Sequence, residues 1–284
     1  MNNGRALILE GGGSRGLYTA GVLDAFLDYN IEFDNCYSVS AGATFGQNFI
    51  TKQRGRTYNI SMKYMNDWRY CSKRSLLLTG DMVGVKFVYD TLPNKLEPAD
   101  YEAFRNNPCK FYTVCANVET GEVEYLHVED LKRDMDMVRA SASLPIISRM
   151  VHINGKKYLD GGILDSIPAK YSLEHGNSKA VVILTQHKGF VKKPSSEVTY
   201  IKKLYGRKYP KFAEAAATRH IKYNEALAYI EEHEKLGDVF VFRPKQPVEV
   251  ARMELDHDKL DKLYHDGYND AVERMEELKK FLAE

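Results

Sequence analysis

The chain has 284 residues, 40 Lys plus Arg against 39 Asp plus Glu, 44% hydrophobic and 28% charged residues, the composition of a globular protein with a substantial core. A formal net charge of +1 argues against a surface built throughout for nucleic acid. Cys36, Cys71, Cys109 and Cys115 form no CxxC pair, no zinc-ligand spacing and no dense disulfide framework.

The N-terminal stretch MNNGRALILEGGG has no long apolar core and no cleavage site, so residues 6–9 read as a buried strand and not as part of a secretory signal. The longest later apolar run, residues 180–184, falls far short of the roughly 20 residues a bilayer span needs. A cytoplasmic protein is expected, one able to touch membranes from outside.

Residues 5–10 predict a strand, and Gly11, Gly12, Gly13, Ser14, Arg15 and Gly16 form a turn too flexible to continue it. Leu17, Ala20, Leu23, Phe26 and Leu27 then recur at helical spacing, one apolar face suited to packing on a sheet. A second strand and helix follow over 35–39 and 41–51, with Ser40 at their junction. Residues 52–110 mix tyrosines, a single tryptophan at Trp68 and Pro and Gly breaks, which suggests helical insertions or a lid without assignable boundaries. Residues 109–118 and 123–128 flank Glu119-Thr120-Gly121-Glu122, a hairpin signal with glycine where positive φ is required. A short helix over 135–143 is stopped by Pro145. Residues 151–153 and 157–159 then flank Asn154-Gly155, a two-residue hairpin turn that runs into Asp160-Gly161-Gly162. The continuous β-branched run at 180–185 predicts a parallel strand covered on both faces, and 239–242 another. A long helix is expected over 212–236, ended by Gly237, and a C-terminal helix over 259–282. This alternation favours one α/β domain with a mostly parallel sheet.

Three features can carry chemistry. A glycine-rich turn opening a helix presents unpaired N–H groups and the positive end of the helix dipole, so it can hold a phosphate or a developing oxyanion. No Gly-Lys-Ser/Thr follows it and no dinucleotide fingerprint fits, which leaves a nucleotide-binding regulator a minor reading. Ser38-Val39-Ser40-Ala41-Gly42 lacks only the first glycine of a G-x-S-x-G nucleophile elbow, and Ser38 is about the smallest side chain that can stand in for it. Asp160, between a hairpin strand and two glycines, is by itself an ordinary turn residue.

In this order the three features resemble the patatin-like phospholipase family, with its G-G-G-x-R/K-G loop, G-x-S-x-G elbow and D-G-G/A motif, here at residues 11–16, 38–42 and 160–162. The resemblance also takes in Ala140-Ser141-Ala142-Ser143-Leu144-Pro145, the turn leading into Tyr158-Leu159-Asp160, and Pro168, covering at least residues 5–170. Residues 255–271 are similar to the C-terminal extension of bacterial members. The resemblance implies a three-layer α/β fold with a central, mostly parallel sheet flanked by helices. It implies a single domain over 1–284, with a core at about 5–185 and a helical extension at about 197–284. It further implies an ester hydrolase of phospholipase A or lysophospholipase type, needing no cofactor and no metal. Ser40 would be the nucleophile and Asp160 the proton acceptor. The Gly11, Gly12 and Gly13 amides would form the oxyanion hole, supported by Arg15 and Gly16, with Ser38 and Gly42 shaping the elbow. An aspartate near its ordinary pKa of about 3.9 is a weak base for a serine, so proton removal would be concerted with attack.

The rival mechanism is a Ser-His-Asp triad drawing on His127, His152 or His187, but in the α/β-hydrolase arrangement the nucleophile comes later in the sheet with His as the final member, whereas Ser40 already follows the second strand. Ser38 as nucleophile lacks a glycine two residues onward. The rival function is an inactive lipid- or anion-binding protein with Ser40 inert. Residues 188–212 hold eight basic residues from Lys188 on, one acid, Glu197, and the aromatics Phe190, Tyr200, Tyr205, Tyr209 and Phe212. This composition suits peripheral contact with an anionic lipid surface, and a solvated loop is its plain alternative. No nucleic-acid-binding motif is present.

Overall fold

A computed structural model describes residues 4–284. Met1, Asn2 and Asn3, the start of the stretch read for a signal, lie outside the described residues. Eight strands form one sheet: β1 (Gly4–Leu9), β2 (Asn35–Ser38), β3 (Lys110–Asn117), β4 (Val123–Val128), β5 (Val151–Ile153), β6 (Lys156–Asp160), β7 (Asn177–Ile183) and β8 (Val239–Phe242). The order is β5-β6-β3-β2-β1-β7-β8, with β4 also on β3. β3, β2, β1, β7 and β8 run parallel, and β4, β5 and β6 add an antiparallel end.

Both faces of the sheet are covered, which is why its parallel strands read as unbroken apolar runs. Leu7, Leu9, Val181, Ile183 and Phe242 pack on one side against α1 (Leu17–Asp28), α2 (Ala41–Ile50) and the helix His257–Glu273. Ala6, Ile8, Ala180, Val182 and Val241 point to the other side, against Ile167, Tyr223 and Ile230. The period of two within each strand sorts neighbouring side chains into opposite layers. Both hairpins form at the expected turns. Gly121 takes φ +73, and Asn154 and Gly155 take φ +49 and +79, the paired positive values of a type I′ turn.

Two long helices are each broken in two. The expected helix over 212–236 is Pro210–Ala217 and Arg219–Leu236, because Thr218 leaves helical geometry and its hydroxyl donates to the Ala215 carbonyl. The C-terminal helix breaks at Arg274, whose guanidinium donates to the Val241 carbonyl at 2.7 Å and lies over the Phe240 ring. Residues 52–110 hold α3 (Arg56–Tyr64), the helices Lys73–Thr79 and Tyr101–Asn106, and a π-type helix, Phe87–Leu96. No helix among the described residues is long and apolar enough to cross a membrane.

One feature of the sheet sets the geometry of the site. β4 pairs along one edge of β3 over Phe111 to Ala116. The opposite edge is shared, with β2 pairing parallel up to Ser38 opposite Thr113 and β6 pairing antiparallel down to Asp160 opposite Cys115. β2 and β6 therefore run toward each other along one edge of β3 and stop end to end, with the level of Val114 between them.

Candidate active site

The chain leaves β2 through Val39 and enters α2 through Ser40, which sits at φ +55 and ψ −120. A non-glycine residue in this region stores backbone strain of about 1–3 kcal/mol and needs neighbours that hold it. The Ser40 amide donates to Ser141 Oγ at 3.0 Å, and Ser141 Oγ donates to the Val114 carbonyl at 2.7 Å, in the gap between β2 and β6. The sharp turn presents the Ser40 hydroxyl at the N-terminus of α2, where the helix dipole favours negative charge.

At the end of β6, Asp160 is 1% exposed. Ser40 Oγ donates to its Oδ2 at 2.6 Å, and the Gly162 amide donates to its Oδ1 at 2.8 Å. Burial pushes the Asp160 carboxyl above the ordinary carboxylate range, opposed by the Ser40 hydrogen bond, the Arg219 guanidinium and the Gly162 amide. Asp160 is therefore a stronger base than the sequence reading assumes.

The glycine turn lies directly over this pair. A Cβ at Gly11 would sit 2.7 Å from the Ser40 Cβ, and Gly13, at φ +59, has no room for one beside the Arg252 carbonyl. The turn is fastened from the far end of the chain: the Ser14 amide donates to the Arg252 carbonyl at 2.9 Å, and the Glu254 amide to Ser14 Oγ at 3.0 Å. Among the described residues, the amides of Gly11, Gly12 and Gly13 donate to no protein acceptor. Arg15, expected to support the loop, lines a polar cavity, and its buried Nε has no partner. Gly16 lets the Phe45 ring of α2 close against the turn. Ser38 is fully buried and donates to the Tyr112 carbonyl at 2.8 Å, so its hydroxyl points into the sheet and not into the site. Gly42 packs where a Cβ would lie 2.7 Å from the Leu9 carbonyl.

Ser40 lies where two cavities meet. The larger, about 400 Å³, is lined by apolar side chains including Leu17, Phe45, Ile60, Met65, Val88 and Leu92, so residues 52–110 build much of its wall. The smaller, about 50 Å³, is lined by Glu10, Arg15, Asp160, Lys192, Arg219 and Arg252. Glu10, pushed up by burial, accepts from the Thr185 amide and from the Tyr223 hydroxyl, the latter at 2.6 Å. None of the eight histidines lines either cavity, and His127, His152 and His187 stand apart from Ser40. No group of three or more His, Cys, Asp or Glu among the described residues is placed to hold a metal ion. In residues 188–212, Tyr205, Tyr209 and Phe212 are buried in the core, Phe190 packs on Tyr223, and Tyr200 is exposed.

Sequence reasoning gave no role to Ser141, Glu10, Arg219 or Arg252. Ser141 lay within a quoted motif, whereas Arg219 and Arg252 carry no local signal.

A sequence profile described as patatin-like phospholipase matches residues 7–173, and one described as a domain of unknown function (DUF6363) matches residues 209–283. An uncharacterized protein, YjjU, of Escherichia coli (strain K12) is 31% identical over 183 residues, 63% of this chain and 51% of that protein. Lysophospholipase NTE1 of Cryptococcus neoformans var. neoformans is 26% identical over 187 residues, 62% of this chain and 11% of its own length. The chain thus spans about half the length of the first of these relatives and about a tenth of the second. Among solved structures, VipD from Legionella pneumophila aligns over 98% of this chain and 67% of its own, with a TM-score of 0.47 and 12% identity. The type III effector ExoU aligns over 100% and 54%, with a TM-score of 0.38 and 10% identity.

Proposed function

The chain belongs to the patatin-like phospholipase family, and from that premise we propose that it is a serine hydrolase of lipid acyl esters, of phospholipase A or lysophospholipase type. The observation that carries this reading is the 2.6 Å hydrogen bond from Ser40 Oγ to Asp160 Oδ2, made by a serine held at φ +55 where an apolar and a polar cavity meet.

In this reading the acyl chain occupies the apolar cavity and its ester carbonyl lies over Ser40. Ser40 Oγ attacks the carbonyl carbon while its proton passes to Asp160 Oδ2. The oxyanion is received by the free amides of Gly11, Gly12 and Gly13. Collapse of the tetrahedral species expels the alcohol, protonated by Asp160, and leaves an acyl-Ser40 ester. Asp160 then takes a proton from water, hydroxide adds to the acyl carbon, and the fatty acid departs as Ser40 regains its proton. Loss of one oxyanion donor typically costs about 10²–10³ in turnover, and loss of the general base about 10²–10⁴. Peripheral contact with a lipid surface through residues 188–212 belongs to the same reading, supported by exposed Val191, Tyr200 and Leu204 among exposed lysines.

The test is hydrolysis of a short-chain p-nitrophenyl ester and covalent labelling by a fluorophosphonate, in wild type, Ser40→Ala and Asp160→Asn, each checked for folding by circular dichroism. Both activities are expected in wild type, with labelling absent in Ser40→Ala. Hydrolysis that survives Ser40→Ala would overturn the mechanism. A folded wild type that is neither labelled nor active on esters or phospholipid vesicles would instead be a binding protein of this fold.

A further inference from the structure

Ser40, Asp160 and the Gly11 to Gly13 turn form one wall of the 50 Å³ polar cavity, and the hydrolase reading uses that wall alone. Four cationic side chains, Arg15, Lys192, Arg219 and Arg252, converge on it from separate parts of the chain. The acids beside them are occupied: Glu10 is tied to the Thr185 amide and the Tyr223 hydroxyl, and Asp160 to Ser40 and the Gly162 amide. Arg252 has a half-exposed partner in Glu197 at 3.0 Å, and Arg219 Nε donates to the Gly162 carbonyl at 2.6 Å. Lys192 makes no ion pair among the described residues and stands 4.0 Å from the Tyr223 ring centroid, and Arg15 Nε is buried without a partner.

So many half-buried cations in one small space are costly to each other. Burial holds the Lys192 ammonium down at about 8, with Arg219, Arg15 and Arg252 adding repulsion. An anion in the cavity relieves both burdens. The space accommodates about three or four water-sized groups, close to a tetrahedral phosphate. Cations arriving from several directions also suit four oxygens better than a planar carboxylate. The cavity opens on Ser40, so an anion there lies within one lipid molecule's reach of the attacked ester.

We propose that the C-terminal segment, through Arg219 and Arg252 together with Lys192, furnishes a phosphate-binding subsite beside Ser40. The ligand is a phosphate group, either on the headgroup of the ester lipid or as free phosphate. Arg219 and Arg252 fall within residues 209–283, matched by the profile of unknown function, which gives that segment a part in selecting the substrate. The proposal rests on the hydrolase reading for its consequence but not for its binding test.

The full chain, with Lys192→Gln and Arg252→Gln singly and together, is examined in two assays. In the first, inorganic phosphate at constant ionic strength is titrated against thermal unfolding. A saturable rise in Tm is expected in wild type and a loss of that rise in the double variant. In the second, kcat/KM is compared for 1-oleoyl lysophosphatidate and 1-oleoylglycerol in uncharged micelles. The wild-type ratio is expected to favour the phosphate lipid, and to fall at least tenfold in the variants. Phosphate stabilisation with no preference in wild type assigns the subsite to free phosphate and overturns the headgroup. Absence of stabilisation, together with a ratio the variants do not move, overturns the proposal. Should Arg252→Gln fail to fold, Lys192→Gln alone decides it. Failure of the hydrolase reading shows separately, as a wild type that a fluorophosphonate does not label, and leaves the phosphate titration readable.

Discussion

The Ser141 hydroxyl holds Ser40 from behind: it accepts from the Ser40 amide at 3.0 Å while donating to the Val114 carbonyl at 2.7 Å. It fills the hydrogen-bonding gap left where β2 and β6 meet, and it is fully buried. Ser141→Ala leaves a buried amide and a buried carbonyl without partners, at about 1–3 kcal/mol. The expected outcome is a lower Tm together with kcat reduced about tenfold at unchanged KM, because the apolar cavity is untouched while the strained elbow relaxes. An equal change in kcat and KM would show that Ser141 does not orient Ser40.

Ser38 stands where an elbow glycine is expected, yet its hydroxyl is satisfied by the Tyr112 carbonyl. Ser38→Gly removes that bond and frees the unfolded backbone, a cost of about 1–2 kcal/mol. The variant is expected to melt at lower temperature with no gain in kcat. Faster turnover in Ser38→Gly would mean that the serine crowds the nucleophile.

At Gly11 a methyl group would fall 2.7 Å from the Ser40 Cβ. Gly11→Ala is expected to displace Ser40 from Asp160 and the glycine amides together, lowering kcat/KM on a p-nitrophenyl ester by at least about 10², the scale of a lost oxyanion donor. Circular dichroism should show the fold retained. Near wild-type activity would remove this turn from the chemistry.

As the proposed base, Asp160 must be ionised to accept a proton, and burial raises its pKa. The acid limb of kcat/KM is therefore expected above the ordinary carboxylate range, with activity falling as pH drops through it. Arg219 favours the charged form, so Arg219→Gln should move that limb to higher pH. A limb that stays in place would exclude Asp160 as the titrating base. Linkage has the opposite sense for stability: this carboxyl's contribution is full below its unfolded pKa of about 3.9 and is lost as pH rises through the folded value.

What was legible in the sequence was local. The two hairpins were announced by Gly121 and Asn154-Gly155, residues that favour the positive φ they adopt, and the parallel strands by apolar runs suited to two covered faces. The juxtaposition of Ser40 and Asp160 followed from resemblance alone, since nothing in either motif encodes their meeting on β3. The break at Thr218 was hidden because the apolar pattern of the helix continues through it. The basic and aromatic run at 188–212 could not be assigned faces from composition; the fold turns Lys192 toward Ser40 and Phe212 into the core. Arg219 and Arg252 reach the same cavity through tertiary packing, which no short motif records.

Because β2 and β6 abut on a single edge of β3, the hydrogen-bonded pair Ser40 and Asp160 lies 120 residues apart in the chain, and neither strand can bring them together alone. Both long-range pairings must close first, and such contacts are slow to form. During refolding, the fluorophosphonate reactivity proposed for Ser40 is expected to return later than helical ellipticity, so Ser40 would serve as a chemical clock for completion of the sheet.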